Sequence, residues 1–407
     1  MDFEYAYTDD QMRFRSEVRA WLDANVDPTR HAPRDPESID DDTYGYFREV
    51  HKALGRMGWL YPTYPREYGG GGLTGDHEMV ISEELIRRRI PPHFSNGLVL
   101  PSILVWGTEE QKRKFLPGLL SGETIAYQTF SESHAGSDLA SIKSPAVRDG
   151  DEWVLNGHKL FITGLRTPDL LFGPFVTVPG GERRRNLGYF LIPVPTEGVT
   201  IEQMTLLNGP GQKFIYFDDA RVPADHLLGG ETEGWEVAAT TLEQEHGGRG
   251  APFAPDLDIE ELFERLRSAR RNGRALSDDP VARIAAMDNY IESNINRLLA
   301  ARNFWMYVTK QEMTYHGPQS ALWRKEFKVR NANREREMMG PEVLLDGADP
   351  GAPHDGAAEV RQRRNLAWTH PGGTPEIMRL IMARRLGISR THERAAPTPP
   401  TATEHTA

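Results

Sequence analysis

Two stretches of this 407-residue chain hold residue types that could do chemistry. In the first, Ser131-Glu132-Ser133-His134-Ala135-Gly136-Ser137-Asp138 crowds hydroxyl and small residues into one loop. Its side chains and backbone N–H groups can donate hydrogen bonds to a polar heterocycle or an anion. In the second, Gly372-Gly373-Thr374-Pro375-Glu376-Ile377-Met378-Arg379 delivers a Thr cap and a Pro at the first helical position, so a helix N-terminus would present free N–H groups to an anion. Taken alone, the first also reads as a polar loop feeding a small β-sheet, and the second as an ordinary capped helix. Gly69-Gly70-Gly71-Gly72 is read as a turn, because no Gly-Lys-Ser/Thr follows it as a phosphate loop requires. The chain has no cysteine, which excludes disulfides, thiolate catalysis and Cys-based metal or iron–sulfur sites; no metal is expected.

The elements that must position these residues change character twice. Thr8-Asp9-Asp10 caps a helix with Met12, Val18, Trp21 and Leu22 at near-helical spacing. Pro28 to Asp42 is a polar loop, a second helix runs through Tyr44 to Leu54, a third spans Gly75 to Arg89, and another starts at the Thr108 cap. From Ser121 to Trp235 the signal is strands: Phe172 to Val178, Gly188 to Val194, Val199 to Leu206 and Lys213 to Phe217, separated by Pro, Gly and Asn. Before them, Asp149-Gly150-Asp151 and Asn156-Gly157 both read as tight turns of a hairpin region, with a new strand from Lys159 to Thr163. Helical period returns after Trp235, with a helix from Glu236, then Ile284 to Lys310, Ser320 to Met339 and Pro375 to Leu386, enough for a four-helix bundle. Asp346 to Ala358 is a loop, and 391–407 has the composition of a disordered tail.

Charge narrows the partners. Forty-eight Lys and Arg against 59 Asp and Glu give a net charge of −11, which argues against nucleic acid and requires local basic groups or backbone dipoles wherever an anion binds. No run approaches the roughly 18 apolar residues of a membrane span, and the acidic Met1-Asp2-Phe3-Glu4 is no signal peptide. A cytoplasmic protein without a membrane partner is expected.

The order F-S-E-x-x-A-G-S-D-L-A from Phe130, then D-G-D-x-W-x-x-N-G-x-K-x-F-I-T from Asp149, resembles the flavin-binding segment of the acyl-CoA dehydrogenase family. Further matches are W-x-x-P-x-x-P-x-x-Y-G-G from Trp59, G-T-x-E-Q-K-x-x-x-L-P from Gly107 and G-T-x-E-I-x-R from Gly373. The resemblance implies an α+β multidomain fold: an N-terminal helical domain (1–121), a middle β-domain (122–235) and a C-terminal four-helix bundle (236–390). It also implies FAD, with Gln128, Phe130 and Ser131 on the pyrimidine side, Phe161 packed on the flavin and Thr163 near N5. Thr374 and Glu376 would lie near the phosphates and ribityl chain, Arg270 would meet the pyrophosphate and Ser137 would face the CoA part of the substrate. The chain departs from the family at Phe161, often Trp, at Ser133, often Pro, and at Gly211-Gln212-Lys213, where Asn or Glu is common. The R-x-x-F-G phrase that reaches a neighbouring subunit's FAD is absent, and Arg270-Arg271-Asn272-Gly273-Arg274 stands in that region.

The activity implied is α,β-dehydrogenation of an acyl-CoA thioester, with electrons passed to an electron-transfer flavoprotein. Removing the α-proton while a hydride leaves the β-carbon requires a carboxylate near Cα. Many members carry that Glu just before the Gly-Thr pair, where this chain has Gly372. Others carry it in G-W-x-x-A-x-x-x-L-x-x-E-R, and here Gly234-Trp235 leads to Glu245, followed by His246 in place of Arg. Glu245 is therefore the expected base, against the alternative of a surface Glu; Glu243 is a second candidate on another helix face. A homotetramer, or a heterotetramer with a related subunit, is implied. Two rival readings are a non-catalytic structural subunit and a flavin monooxygenase or oxidase on the same fold.

Overall fold

The computed structural model describes residues 7–91, 96–246 and 256–391. Local capping sets the first helices. In α1 (Asp9–Asn25) the Thr8 hydroxyl accepts from Gln11 N at 3.2 Å while Gln11 Oε1 accepts from Thr8 N at 2.7 Å, a reciprocal box that satisfies two free donors of the first turn. α2 (Asp41–Arg56) and α3 (Gly75–Arg87) follow, then α4 (Asn96–Trp106) and α5 (Glu109–Ser121), the last with the same box on Thr108 and Gln111. Buried Arg15 ties α1 to α3 through Glu83 and Glu84, both at 2.8 Å. α4 was not expected from the sequence. Val99, Leu100 and Ile103 are fully buried, and an apolar helix with little polar face has no period to read.

Eight strands form the middle: β1 (Ala126–Gln128), β2 (Ala146–Asp149), β3 (Glu152–Thr163), β4 (Leu170–Val176), β5 (Leu187–Pro193), β6 (Val199–Leu206), β7 (Gly209–Pro223) and β8 (Leu227–Leu228). One sheet has the order β1-β4-β5-β8, with β1 parallel to β4, and the other is β2-β3-β7-β6 and wholly antiparallel. Period-two alternation decides what each face meets. Tyr189 and Leu191 of β5 join the core against α4, α5 and α6, whereas Phe190 and Ile192 join Trp153, Leu155 and Ile215 between the sheets.

The turn expected at Asn156-Gly157 is not there. β3 runs unbroken past it, with a bulge against β7 between Leu155 and Gly157. Gly157 has φ +118°, and a Cβ on it would lie 2.4 Å from Ser144 Oγ, so this glycine serves a close approach inside a strand. The Asp149-Gly150-Asp151 turn does join β2 to β3.

The C-terminal helices are α6 (Gly234–Glu245), α7 (Leu257–Ser268), α8 (Pro280–Val308), α9 (His316–Met339), α10 (Ala357–Ala367) and α11 (Pro375–Arg385). Four of these answer to the expected bundle; α7 and α10 are additional. α10 buries mostly alanine and so has little apolar period to read, whereas α7 carries Ile259, Leu262, Phe263 and Leu266 at helical steps. α7 buries Glu261 and Arg265 beside Ile259, Leu262 and Leu266, and α10 buries Ala357, Ala358 and Val360. Arg265 and Arg361 both meet Glu335 of α9, at 3.0 and 2.7 Å, so charge pairing adds to apolar contact in holding both helices to α9. Of the tail expected from 391, all but Thr391 lies outside the described residues, as do Gly247 to Gly250.

Candidate active site

The serine-rich loop is held from below by a buried ion pair. Glu132 Oε1 accepts from Lys159 Nζ at 2.9 Å, with both side chains almost fully buried, and Glu132 also accepts from the backbone N–H groups of Lys143 and Ser144. Lys159 gives a second bond to Pro174 O at 2.9 Å. Burial raises the Glu132 carboxyl, but Lys159 and the backbone donors outweigh it and hold the group below its ordinary value. The backbone of Ser131 is fixed as well, its carbonyl accepting from Leu160 N at 3.0 Å.

β3 then presents two side chains. Phe161 is 54 % exposed although aromatic and sits at φ +59°, where a non-glycine residue is strained and needs support from its surroundings. The bulge between Lys159 and Ile162 turns it outward. Thr163 Oγ1 accepts from Gln212 Nε2 at 2.9 Å, and Gln212 Oε1 is buried without a partner among the described residues. Gln212, not expected at the site, thus orients one of the expected flavin contacts.

Helix α6 brings the carboxylate. It is fastened to α4 and β5 by Thr241, which meets Ser102 Oγ at 2.8 Å and Tyr189 Oη at 3.0 Å, and by Trp106 Nε1 donating to Thr240 Oγ1 at 3.0 Å. At its end Glu245 is half-buried, and Gln128 Nε2 approaches Glu245 Oε2 at 3.4 Å. Desolvation raises the Glu245 carboxyl above its ordinary value, only partly offset by Gln128 and by Lys325; a raised carboxyl is the condition a general base near neutral pH requires. Glu243 is committed elsewhere. Arg385 of α11 grips it with both terminal nitrogens, at 3.2 and 2.7 Å, which also clamps α11 to α6.

The loop before α11 closes over the same carboxyl. Gly372 has φ +64°, and a Cβ placed on it would lie 3.2 Å from Glu245 Oε1 and 3.3 Å from its Cγ. Thr374 caps α11, its hydroxyl accepting from Ile377 N at 3.3 Å, with Pro375 at the first turn, as the sequence predicts. His246, buried, has Nε2 without a partner among the described residues. Desolvation, helped by Arg385 and Lys325, pushes its pKa down to about 4, so it is neutral at pH 7.

A cavity of about 150 Å³ opens beside Glu245 and Gly372, with Arg324, Lys325 and Lys328 of α9 and Asn365, Trp368 and Pro371 on its walls. Lys325 is buried and donates to Trp368 O at 3.2 Å and to Pro371 O, which staples the Gly372 loop to α9. Burial and Arg324 bring its pKa down to about 8 against the opposing pull of Glu245. The apolar spacing that marks α9 in the sequence says nothing of these cations.

Among the residues expected at a site, Gln128 and Glu245 meet directly, and Phe130 stands edge-on to Tyr189, which holds α6 through Thr241. Others stand apart. Ser137 and Glu376 are exposed and make no side-chain contact with this group among the described residues. The Arg270 guanidinium donates to Arg267, Ser268 and Ala269 carbonyls, closing the end of α7.

Comparison with known proteins places the chain in a family. Family models described as the acyl-CoA dehydrogenase N-terminal, middle and C-terminal domains match residues 8–123, 128–220 and 232–387. The acyl-CoA dehydrogenase IpdE1 of Mycobacterium tuberculosis is 33% identical over 400 residues, covering 94% of this chain and 98% of that protein. The acyl-CoA dehydrogenase FadE26 of the same organism is 29% identical over 407 residues, covering 95% and 99%. A chain of the Mycobacterium tuberculosis ChsE4-ChsE5 complex superposes with a TM-score of 0.82 at 26% identity, covering 96% of this chain and all of that one. The chain belongs to the acyl-CoA dehydrogenase family, whose members are flavin oxidoreductases acting on CH–CH donors.

Proposed function

We propose that this protein binds FAD and performs α,β-dehydrogenation of an acyl-CoA thioester, with Glu245 as the base. The observation that carries the reading is the meeting of Glu245 with Gly372. The position where other members carry the base on the α11 loop is a glycine here, and a carboxyl from α6 lies against it. Two alternative places in the sequence converge on one place in space.

The residues present fit a flavin. Gln128 Oε1, Gln212 Oε1 and His246 Nε2 are buried polar atoms without partners among the described residues, and such atoms need a ligand or water to satisfy them. Neutral His246 and the two amides supply donors and acceptors suited to an uncharged heterocycle. Phe161, exposed at a strained φ, offers a ring face. When bound, FAD would accept the hydride leaving the β-carbon. Glu245 takes the α-proton; Gln128 and the Gly372 loop orient its carboxyl and keep water from it. Thr163, oriented by Gln212, and the Phe130-Ser131 segment, anchored by Glu132, complete the flavin contacts. Thr374, Glu376, Ser137 and Arg270 keep the roles implied by resemblance, and Arg270 must release its carbonyls to reach a pyrophosphate.

Assembly into a tetramer, with a second copy or a related subunit, is supported by α8. Val281, Ile284, Met287, Ile291 and Leu298 are between 47 and 74 % exposed along it, an apolar stripe of the kind that marks an interface. Electrons then pass to a separate electron-transfer flavoprotein. No helix among the described residues is long and apolar enough to cross a membrane.

Visible absorption of the purified protein, followed by anaerobic titration with a panel of acyl-CoA esters, tests the reading. Bleaching of a bound flavin by at least one ester is expected. A bound flavin bleached by none sinks it, and rapid oxygen consumption by the reduced protein points instead to an oxidase.

A further inference from the structure

The cavity beside Glu245 has more positive charge on its walls than its own residues neutralise. Arg324, Lys325 and Lys328 face it together with a single carboxylate, Glu245. Arg324 is half-buried, yet none of its donors finds a hydrogen bond or ion pair among the described residues, and desolvation lowers its pKa with no carboxylate to counter the shift. Lys325 spends two of its three donors on the Trp368 and Pro371 carbonyls. Lys328, exposed, stands at the rim. A half-buried guanidinium with no anion beside it is partly desolvated without compensation, and an anionic ligand relieves that.

An unsubstituted alkyl chain would not relieve it. Entering this cavity, such a chain would displace water from three cations and return no hydrogen bond, which leaves buried donors unmet. A planar carboxylate would suit the fork of Arg324 and take the remaining donor of Lys325. The source of that anion follows from covalent reach. If Glu245 abstracts the α-proton, the thioester Cα lies at its carboxyl, and any anion sharing a 150 Å³ space with that carboxyl is only a few bonds from Cα. The phosphates of CoA are separated from the thioester by the whole pantetheine arm, and the pyrophosphate of a flavin from its ring by the ribityl chain. The acyl group itself must carry the charge.

We propose that the substrate of this protein is an acyl-CoA whose acyl chain ends in a carboxylate, such as the monothioester of a short dicarboxylic acid, recognised by Arg324 with Lys325 and Lys328. This rests on the acyl-CoA dehydrogenase reading above and adds the class of acyl group.

The test compares three esters of equal chain length on the flavin-loaded wild type: one ending in a carboxylate, its neutral methyl ester, and one ending in a methyl group, each followed by anaerobic flavin bleaching. The carboxylate ester should exceed both others in kcat/KM by at least about a hundredfold, and Arg324→Met should cut that preference at least thirtyfold, with Arg324→Lys restoring part of it. A wild type that favours either uncharged ester, or an Arg324→Met variant that slows all three equally, overturns the proposal; the wild-type comparison decides even if the variant fails to fold. Bleaching by uncharged esters alone refutes the carboxylate and leaves the dehydrogenase reading standing, whereas bleaching by no ester refutes both.

Discussion

Gly372→Ala perturbs the candidate base without removing it. The new Cβ would lie 3.2 Å from Glu245 Oε1, 3.3 Å from Cγ and 3.5 Å from Cδ. These distances are short enough that the carboxyl must give way by a few tenths of an ångström. Displacing a catalytic group by about 1 Å can cost on the order of a hundredfold in rate, so a shift of this size should slow the reaction by about tenfold. The backbone adds a separate cost, because alanine at φ +64° loses about 1–2 kcal/mol relative to its favoured conformations. Gly150→Ala separates the two effects: Gly150 has φ +65° with nothing within 4 Å of an added Cβ, so it carries similar strain and no contact with the base. The assay is single-turnover anaerobic flavin reduction together with a thermal midpoint for both variants. Both should lose stability, and only Gly372→Ala should lose rate. A Gly372→Ala protein that is destabilised but reduces its flavin at the wild-type rate would refute the placing of the reactive carboxyl against this loop.

Three further outcomes are expected. Glu132→Ala leaves the ammonium of Lys159 buried and unpaired, a change that costs about 3–5 kcal/mol, so its unfolding midpoint should fall sharply and FAD should be lost first, while Glu132→Ala with Lys159→Met should recover much of the stability though not all, since the Lys143 and Ser144 N–H groups also lose their acceptor. His246 is buried neutral with its pKa lowered from 6.5 to about 4; the unfolded chain therefore binds more protons between these values, stability is complete above pH 6.5 and declines as pH falls toward 4 by about 3 kcal/mol at most, and His246→Gln should flatten that limb in pH-dependent melting. Phe161→Ala, at an exposed position, should leave the melting temperature of the apoprotein nearly unchanged while weakening FAD about three- to tenfold, the worth of one aromatic contact, read by flavin fluorescence; equal affinity would remove Phe161 from the flavin site.

What the sequence carried was whatever depends on local spacing. The Thr caps at Thr8, Thr108 and Thr374, the last with Pro375, and the strand runs of the middle region are all encoded within a few residues, and the structure has them. α4 escaped because its surface is nearly all apolar and α10 because its buried face is mostly alanine, whereas α7, with Ile259, Leu262, Phe263 and Leu266 at helical steps, was legible in the sequence. Asn156-Gly157 misled because Asn-Gly supplies positive φ equally to a hairpin and to a bulge; only the close approach of Ser144, thirteen residues before Gly157, selects the bulge. Glu245 could be named as a candidate from its phrase. Its meeting with Gly372 and its cationic neighbours on α9 could not, because they join residues 79 to 127 positions apart and depend on how α6, α9 and the α11 loop pack.

The proposed reaction depends on Glu245 removing the α-proton. The most direct measurement is the anaerobic rate of flavin bleaching, by the ester that best bleaches the wild type, for Glu245→Gln against wild type at matched flavin content. Gln keeps the size of the side chain and an amide partner for Gln128 but cannot accept the proton, and Glu243 is held by Arg385. A loss on the order of a thousandfold or more, at the upper end of what general-base catalysis supplies, with FAD still bound, is the predicted result. A Glu245→Gln protein that bleaches within about tenfold of the wild-type rate would mean that another group removes the proton.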